Sequence, residues 1–433
     1  MSYNGSGAFQ INTSGQPVVA GTVISSTAFN ALTADLATGL STAITKDGQT
    51  TTTARIIFAQ GTRDNTLTAS SAVATDASKN LVSVTNTGTG NNVLATSPTL
   101  VTPILGTPAS GSLVNCTGIN YDGFKNRIIN GQMQIAQRAT SATITAASTI
   151  AAGYSTVDRF YVYCTGANVT AAQVAGSGAT KNRFQITGAA SVTAVGIGQR
   201  IEQLNSYDLA GSTATLSLDI SNSLLTTVTW TAYYANTADT FGTLASPTRT
   251  QISTGTFTVT STLTNYSTQI SIPAAATTGI EIVFTVGAQT SGTWVIGNVQ
   301  LEKGATATSF DYRSIGTELG LCQRYLPAYI SSSAADQVAG FGQGANTTNI
   351  AFVYTFPMTT RVPPTGISVP NSAHFTVSDG VTNTVCTTSS LNIAGYFSAN
   401  LGFAVASGLT QYRPYALYAN DSAAKILFTG CEL

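Results

Sequence analysis

Six acidic side chains in the middle of this sequence could supply glycoside hydrolysis, which needs two carboxylates within roughly 10 Å of each other. Three of them lie beside or near a basic residue, in the stretches Asp158-Arg159, Arg200-Ile201-Glu202 and Asp311-Tyr312-Arg313. We interpret these as ion pairs that hold strand ends or domain junctions, with an acid pair for catalysis as the alternative. The six acids are Asp158, Glu202, Asp208, Asp219, Glu302 and Asp311.

The single histidine, His374, could serve a nucleophilic triad or a metal site, because Asp379 follows it and serines are abundant. No G-x-S-x-G elbow supports a triad, and one imidazole with one carboxylate does not make a metal site. The stretch GIGQR (196–200) lacks the strand-turn-helix context of a phosphate-binding loop. We therefore predict no enzymatic activity, no cofactor and no metal.

Aromatic side chains favour binding, since sugar rings stack on Trp and Tyr while their hydroxyl groups hydrogen-bond to polar groups. Trp230 and Tyr234 share one face of a predicted strand and are expected in the core, with Tyr233 on the opposite face. Trp294 precedes another strand.

The run QYRPYALYAND (411–421) places three tyrosines and an arginine around a proline turn. We predict a binding site at Tyr412, Arg413 and Tyr415, with His374 nearby. Packing between subunits is the alternative interpretation of these tyrosines.

Composition limits the partners of the chain. Charged residues make up 8% of the 433 residues, against roughly 25% in an average soluble protein. The 18 basic and 18 acidic residues cancel, which argues against nucleic acid as a partner. With no long apolar run and no secretory signal, we expect no membrane insertion and assembly in the cytoplasm. A neutral chain with few charges tends to associate, and its Thr-rich, β-branched sequence predicts a mainly β homo-oligomer.

Five cysteines lie far apart without C-x-x-C spacing. This pattern predicts small buried side chains in a reducing compartment, with a disulfide framework or a zinc site as the alternative. They are Cys116, Cys164, Cys322, Cys386 and Cys431.

The first third of the sequence lacks the means to bury a core by itself. After an extended arm over residues 1–24, the stretch Ser25-Ser26-Thr27 is a helix start signal. Apolar residues then recur at spacings of three and four, at Phe29, Leu32, Leu36 and Leu40. A helix of about 14 residues is marginal in isolation, so identical stripes on sister chains are expected to cover this one. Residues 96–120, with three prolines and no charge, predict an extended strap around a threefold stem.

From residue 124 onward the pattern becomes that of strands with one buried face. About nine strands are predicted up to residue 310, including Arg127–Ile129, Met133–Ile135, Thr213–Asp219 and Val228–Tyr234. They predict a jelly-roll-like β-sandwich. A short helix follows at residues 316–325, with Thr317 as its cap and Leu319, Cys322 and Tyr325 facing inward, and then a compact β domain.

Several stretches resemble bacteriophage tail fibres. The first fifty residues are similar to the virion-attachment end of many short tail fibres, and residues 96–120 to a segment that recurs in fibre stems. The middle of the chain resembles a fibre β-sandwich likened to carbohydrate-binding modules. The motifs that carry this last resemblance are NRIINGQMQIAQR (126–138), VDRF (157–160), RIEQL (200–204), NVQLEKGATATSFDYR (298–313) and ELGLCQRY (318–325).

The resemblance implies an elongated homotrimeric fibre with an extended N-terminal stem, the sandwich and a C-terminal β tip. Phe9 and Ile11 would join Phe29, Leu32, Leu36 and Leu40 as virion-attachment and trimer contacts. The expected divisions are an attachment arm with its helix (1–50), an intertwined stem (51–123), the sandwich (124–315), a helical connector (316–329) and a receptor-binding tip (330–433).

We therefore expect a virion protein whose N-terminus binds a phage tail or baseplate protein. Its C-terminal domains would bind a host-surface glycan or lipopolysaccharide during adsorption. The alternatives are a tail spike that degrades polysaccharide and a structural connector that carries another receptor-binding protein.

Overall fold

The computed structural model describes residues 19–41, 64–68, 71–84, 124–146, 153–178, 180–333 and 337–433. The chain divides into two compact units, Met1–Ser112 and Leu113–Leu433. The first unit is described for one helix and one hairpin, and the second contains the sandwich and the C-terminal barrel. No helix within these ranges is long and apolar enough to cross a membrane.

The helix of the first unit, α1 (Ser26–Ser41), confirms the predicted start signal. Ser25 Oγ accepts a hydrogen bond of 3.2 Å from the Ala28 amide, which satisfies one of the free donors at a helix N-terminus. Phe29 and Leu40 are 55% and 70% exposed. The predicted apolar stripe is therefore uncovered within a single chain.

A two-stranded hairpin follows, made of β1 (Ala72–Thr75) and β2 (Leu81–Val84). In its turn, Asp76 Oδ1 accepts hydrogen bonds from the backbone amides of Ser78 and Asn80, both at 2.9 Å. Two strands without a covered face are marginal by themselves. Phe9, Ile11 and the strap at 96–120 lie outside the described residues.

The middle of the chain is a β-sandwich of two antiparallel sheets. Its strands are β3 (Ser141–Ile144), β4 (Tyr161–Thr165), β5 (Val169–Ala175), β6 (Asn182–Thr187), β7 (Ala194–Ile201), β8 (Thr213–Asn222), β9 (Thr227–Ala235), β10 (Arg249–Thr258), β11 (Thr264–Ser271), β12 (Ile280–Val286) and β13 (Thr293–Lys303). One sheet has the order β10-β9-β12-β7-β4 and the other β11-β8-β13-β6-β5-β3. A short helix, α2 (Gln203–Ser206), connects β7 to β8.

The sandwich core confirms the period-two prediction. Leu216 and Leu218 of β8 are fully buried, and Ile282 and Phe284 of β12 are each 1% exposed. These side chains belong to one hydrophobic cluster, to which both sheets contribute residues. Removing such apolar surface from water contributes about 25 cal/mol per Å², so the cluster provides the main stabilisation of this domain.

The predicted strands at Arg127–Ile129 and Met133–Ile135 are wrong, because both stretches form turns and irregular backbone. Asn130 and Met133 have φ angles of 59° and 60°, which a strand does not accommodate. The Asn130 side chain holds this path by donating to the carbonyl oxygens of Ile135 and Asp158, at 2.8 and 3.0 Å. The Asn130 side chain supplies hydrogen bonds that a neighbouring strand would otherwise make. The alternation of apolar and polar residues is unchanged by this, so the sequence still looks like a strand.

The connecting helix, α3 (Ile315–Gln323), confirms the predicted position. It begins after Ser314, so the predicted cap Thr317 is wrong. The Thr317 hydroxyl instead shares a 2.7 Å hydrogen bond with Ser314 Oγ. Cys322 and Tyr325 are fully buried, as predicted.

The C-terminal region is a closed β-barrel beside a small sheet. Its strands are β14 (Ala328–Ile330), β15 (Gln337–Gly344), β16 (Asn349–Thr355), β17 (Gly366–Ser368), β18 (Phe375–Ser378), β19 (Asn383–Ala394), β20 (Ser398–Val405), β21 (Pro414–Ala419) and β22 (Lys425–Thr429). The barrel runs β15-β16-β20-β19-β18-β21 and closes on itself, and the small sheet has the order β14-β22-β17. Ile350 and Phe352 face the barrel core, as predicted from the alternation along β16.

The sandwich and the barrel are joined by ion pairs around Glu432. This carboxylate binds Arg159 and Arg138 of the sandwich. Arg159, whose side chain is 1% exposed, also lies over the Tyr325 ring, with Cζ 3.6 Å from the ring centroid. Charges this buried require a partner, so the segment after β22 completes the sandwich.

Candidate functional site

The outer face of the five-stranded sheet carries a cluster of aromatic and charged side chains. The inward positions of β4 and β7 belong to the core, among them Val162 and Ile197, so the residues between them point outward. Strand register arranges the outward positions in three rows, which are Tyr163-Gly196-Thr285, Tyr161-Gly198-Val283 and Arg200-Glu281-Tyr233.

Two glycines make room for two tyrosine rings on this face. A Cβ atom added to Gly196 would lie 2.2 Å from the Tyr163 ring, and one added to Gly198 would lie 2.3 Å from the Tyr161 ring. Both rings therefore lie directly over the backbone of β7. Tyr161 is buried and Tyr163 only partly buried, so Tyr163 presents a ring on a rigid sheet. Burial raises the pKa of Tyr163, which keeps its hydroxyl neutral.

A buried carboxylate, Glu281, ties the floor of the face together. It is fully buried and accepts hydrogen bonds from Arg200 Nε at 2.9 Å and from the Tyr161 hydroxyl at 2.7 Å. Arg249 Nη1 donates to its second oxygen. Burial, and then the Glu281 charge, raise the pKa of Tyr161 well above its usual value. Because every partner is oriented by a strand, the network fixes the side chains around it.

Tyr233 and Arg249 form the opposite end of the face. The Arg249 guanidinium lies over the Tyr233 ring, with Cζ 4.0 Å from the ring centroid. Burial opposes the charge of Arg249, but Glu281 outweighs this effect and raises the pKa of the guanidinium. Arg249 is therefore charged at any physiological pH and cannot leave Glu281 without cost.

The face is suited to an elongated ligand. Strands β4 and β9 are three positions apart in the sheet, which separates the backbones of Tyr163 and Tyr233 by at least ~14 Å at ~4.8 Å per strand. Thr285 and Thr229 continue the row of Tyr163 on the outer surface, both partly exposed.

One end of the face is closed by the C-terminal residues. The backbone oxygen of Leu433 accepts hydrogen bonds from Arg200 Nη1 at 3.0 Å and from the Tyr154 hydroxyl at 3.2 Å. The Arg200 end of its row is thus covered, whereas Tyr233 at the other end is partly exposed. The part left open runs from Tyr163 across Thr285 and Thr229.

The structure separates the predicted tip residues from one another. Register pairs Phe375 with Ala419 and Ser378 with Ala416, so the His374 end of β18 is opposite to the end that meets Arg413. The expectation that His374 lies near Tyr412 and Arg413 is therefore wrong. His374 lies instead beside Asp421, with Nε2 and Oδ2 3.7 Å apart.

The remaining tip residues have different environments. Tyr412 is 72% exposed, and Arg413 binds Asp379 at 2.9 Å on the barrel end. Tyr415 is 5% exposed, and its hydroxyl accepts a 2.8 Å hydrogen bond from the Thr410 amide. As a buried residue of the barrel core, Tyr415 cannot stack on a ligand, which corrects its predicted role.

The six candidate acids are all engaged by protein groups. Glu202 accepts from Arg324 and the Tyr325 hydroxyl, and Asp158 accepts from the backbone and side chain of Gln137. Each of the other four has such a partner: Asp208 binds Arg127, Asp219 binds Arg183, Glu302 binds Thr308, and Asp311 binds Arg313. Of the three predicted adjacent pairs, only Asp311 with Arg313 is formed. The other two are wrong, because Arg159 and Arg200 bind the distant Glu432 and Glu281 instead.

The described cysteines confirm the prediction of small buried side chains. Cys164, Cys322, Cys386 and Cys431 are free and buried. Among the residues that the structure describes, no group of three or more His, Cys, Asp or Glu side chains could hold a metal ion. Cys116 lies outside those residues.

Sequence reasoning placed Tyr233 on the outer face and Trp230 in the core, and both positions are confirmed. Trp294 is also fully buried. Tyr163 and Glu281 were missed. The available signal was the Gly-x-Gly spacing in GIGQR, because glycine inside a strand marks a close approach of another group.

No protein-family model matches the chain, and no curated protein matches its sequence. Among solved structures, one titled "CBM4 structure and function" is 14% identical, with a TM-score of 0.28 over 40% of this chain and 98% of that one. The structure of TmCBM61 in complex with beta-1,4-galactotriose is 10% identical, with a TM-score of 0.26 over 41% of this chain and 99% of that one. The enzymatically active domain of tailspike protein 4 from bacteriophage CBA120 is 17% identical, with a TM-score of 0.26 over 42% of this chain and 22% of that one. Values this low assign no function to the chain.

Proposed function

We propose that this protein binds a glycan chain on the outer face of the five-stranded sheet. The observation that carries the proposal is the Tyr163 ring, held over Gly196 on a rigid sheet and partly open to solvent. Apolar C–H faces of sugars stack on such rings, and a few fixed polar groups then set orientation.

The polar groups around the rings support a neutral or weakly charged glycan. Arg249 is paired with Glu281, and the row that continues from Tyr163 carries threonine hydroxyl groups at Thr285 and Thr229. Hydroxyl groups both donate and accept, which matches the hydroxyl groups of a sugar chain. Binding without catalysis fits a floor whose single carboxylate is buried and held by two arginines.

At the level of the whole chain, we propose a homotrimeric phage tail fibre that adsorbs to a host-surface glycan or lipopolysaccharide. In this proposal the N-terminal unit attaches to a tail or baseplate protein, and the protein is a component of the virion. The uncovered apolar stripe of α1 supports association of several chains. Three copies of a weak site would then bind with high avidity.

The test is a titration of full-length protein with oligosaccharides released from candidate host surfaces. Replacing Tyr163 or Tyr233 by Ala removes a stacking ring, and we expect a loss of affinity of roughly tenfold or more, equal to about 1.4 kcal/mol per factor of ten. Calorimetry of each variant gives the dissociation constant directly.

The matched control is Tyr207→Ala, which removes a tyrosine that is 58% exposed on the same domain but outside the face. Its affinity should equal that of the unmodified protein. Equal losses in all three variants, or none in Tyr163→Ala and Tyr233→Ala, would contradict the proposed site. Release of new reducing ends during the titration would favour a polysaccharide-degrading spike instead.

A further inference from the structure

One wall of the barrel is uncharged. Strands β15, β16, β20 and β19 are consecutive neighbours in it, and none of these four strands contains a charged residue. Exposed strands usually carry Lys or Glu on their outer side, which keeps them from associating. This wall lacks that protection.

Three exposed apolar side chains lie in one row across the wall. Val353 and Ile393 are both paired with Asn400, and Phe341 lies one step beyond the Gly342–Phe352 pair, opposite Val353. Their exposed fractions are 70% for Phe341, 57% for Val353 and 71% for Ile393. In a closed barrel, inward and outward side chains alternate along each strand, and only the inward ones fill the core. Packing of the barrel core therefore does not explain this outward apolar row.

The turn between β19 and β20 extends the row. Phe397 is 67% exposed and Tyr396 is 49% exposed, and the Phe397 carbonyl accepts a 2.8 Å hydrogen bond from the Phe356 amide just past the end of β16. The five side chains together form a patch on the order of the 300–600 Å² found for the largest apolar patches of monomers.

We infer that this wall, defined by Phe341, Val353, Ile393, Tyr396 and Phe397, is an interface with a second copy of the same chain. The closed barrel leaves no free strand edge, so the contact must be made by side chains. A partner with charges opposite the wall would leave them buried and unpaired. A second copy of the wall brings apolar and amide groups only.

This inference assigns a surface to the proposed oligomer and does not depend on glycan binding. To test it, the photo-crosslinker p-benzoylphenylalanine replaces Phe341 in the full-length protein, and tagged and untagged copies are expressed together. Irradiation should link tagged to untagged chains, with the linked peptides mapping to β16, β19, β20 or the turn at 395–398. The matched control places the same crosslinker at Tyr412, which is 72% exposed at the barrel end, and should give at least tenfold less product.

Light scattering of the same samples separates the two proposals. An oligomeric mass with linking from position 341 supports the wall as the interface. An oligomeric mass without crosslinking from position 341, or with equal crosslinking from position 412, contradicts the proposed interface but is still consistent with an oligomer. A monomeric mass at all concentrations overturns both, whereas glycan binding is measured independently.

Discussion

At the scale of single residues, the proposed glycan site depends on glycines as much as on tyrosines. Gly196 leaves room for the ring of Tyr163, and the pairing of the two across β4 and β7 fixes the ring on the sheet. A cross-strand aromatic ring over glycine is a stable packing unit by itself. In the proposed site, this ring is partly exposed beside Thr285.

Gly196→Ala should therefore weaken glycan binding without touching a ligand. The new Cβ would lie 2.2 Å from the Tyr163 ring, so the ring must lift, at a cost of about 1–3 kcal/mol in stability for overpacking. Affinity should fall by roughly the factor seen for Tyr163→Ala, as measured by calorimetry. Gly287→Ala is the control, because its Cβ meets nothing within 4 Å. Unchanged affinity in Gly196→Ala would show that the ring position does not matter.

Asp158 gives the fold a defined pH dependence. Burial raises its pKa to about 6, against the partial opposition of Arg138 and the hydrogen bonds from Gln137, while Glu432 adds to the increase. The folded state thus holds a proton that the unfolded state releases near pH 4. Stability from this group is present below that pH and is lost as the pH rises through 6.

Asp158→Asn should flatten this dependence. Between pH 4 and 7 the free energy of unfolding of the unmodified protein should decrease relative to that of the variant, by about 1.4 kcal/mol per pKa unit of difference. Urea unfolding at several pH values measures it. A variant whose pH profile runs parallel to that of the unmodified protein would contradict the assignment to Asp158.

At the scale of elements, much of the fold could be predicted from sequence and some of it could not. Strands β8, β9, β12 and β13 were found because apolar and polar residues alternate along them, and α1 because Ser25 caps a stripe of period 3.6. The turns at 127–135 were missed because Asn130 replaces backbone partners with its side chain. The register that brings Tyr163, Gly196 and Glu281 together is a long-range property, and no local pattern encodes it.

Among the contacts between elements in the described part of the chain, the ion pairs that join sandwich and barrel should cost the most unfolding free energy when they are removed. Glu432→Ala would leave Arg159 buried without its carboxylate, at a cost of about 3–5 kcal/mol. We expect a lower melting temperature and a split into two calorimetric transitions. The control, Asp208→Asn, removes the more exposed pair with Arg127 and should cost less than about 1 kcal/mol. A single transition at an unchanged temperature in Glu432→Ala would mean that the pairs around Glu432 do not couple the two parts.

At the scale of the whole molecule, the proposed assembly rests on low charge and on exposed apolar stripes. The chain has 18 basic and 18 acidic residues in 433, and both α1 and the barrel wall present uncovered apolar side chains. Association covers such surfaces and also multiplies weak binding sites. The proposed fibre therefore links two properties that the sequence suggested separately, neutrality and glycan recognition.

The most direct measurement of the central claim is a crystal structure of the full-length protein with an oligosaccharide from the host surface. The account predicts a sugar ring parallel to the Tyr163 ring, with further units extending across Thr285 and Thr229 toward Tyr233. A sugar bound only at the barrel end, around Tyr412 and Arg413, with the sandwich face empty, would contradict it.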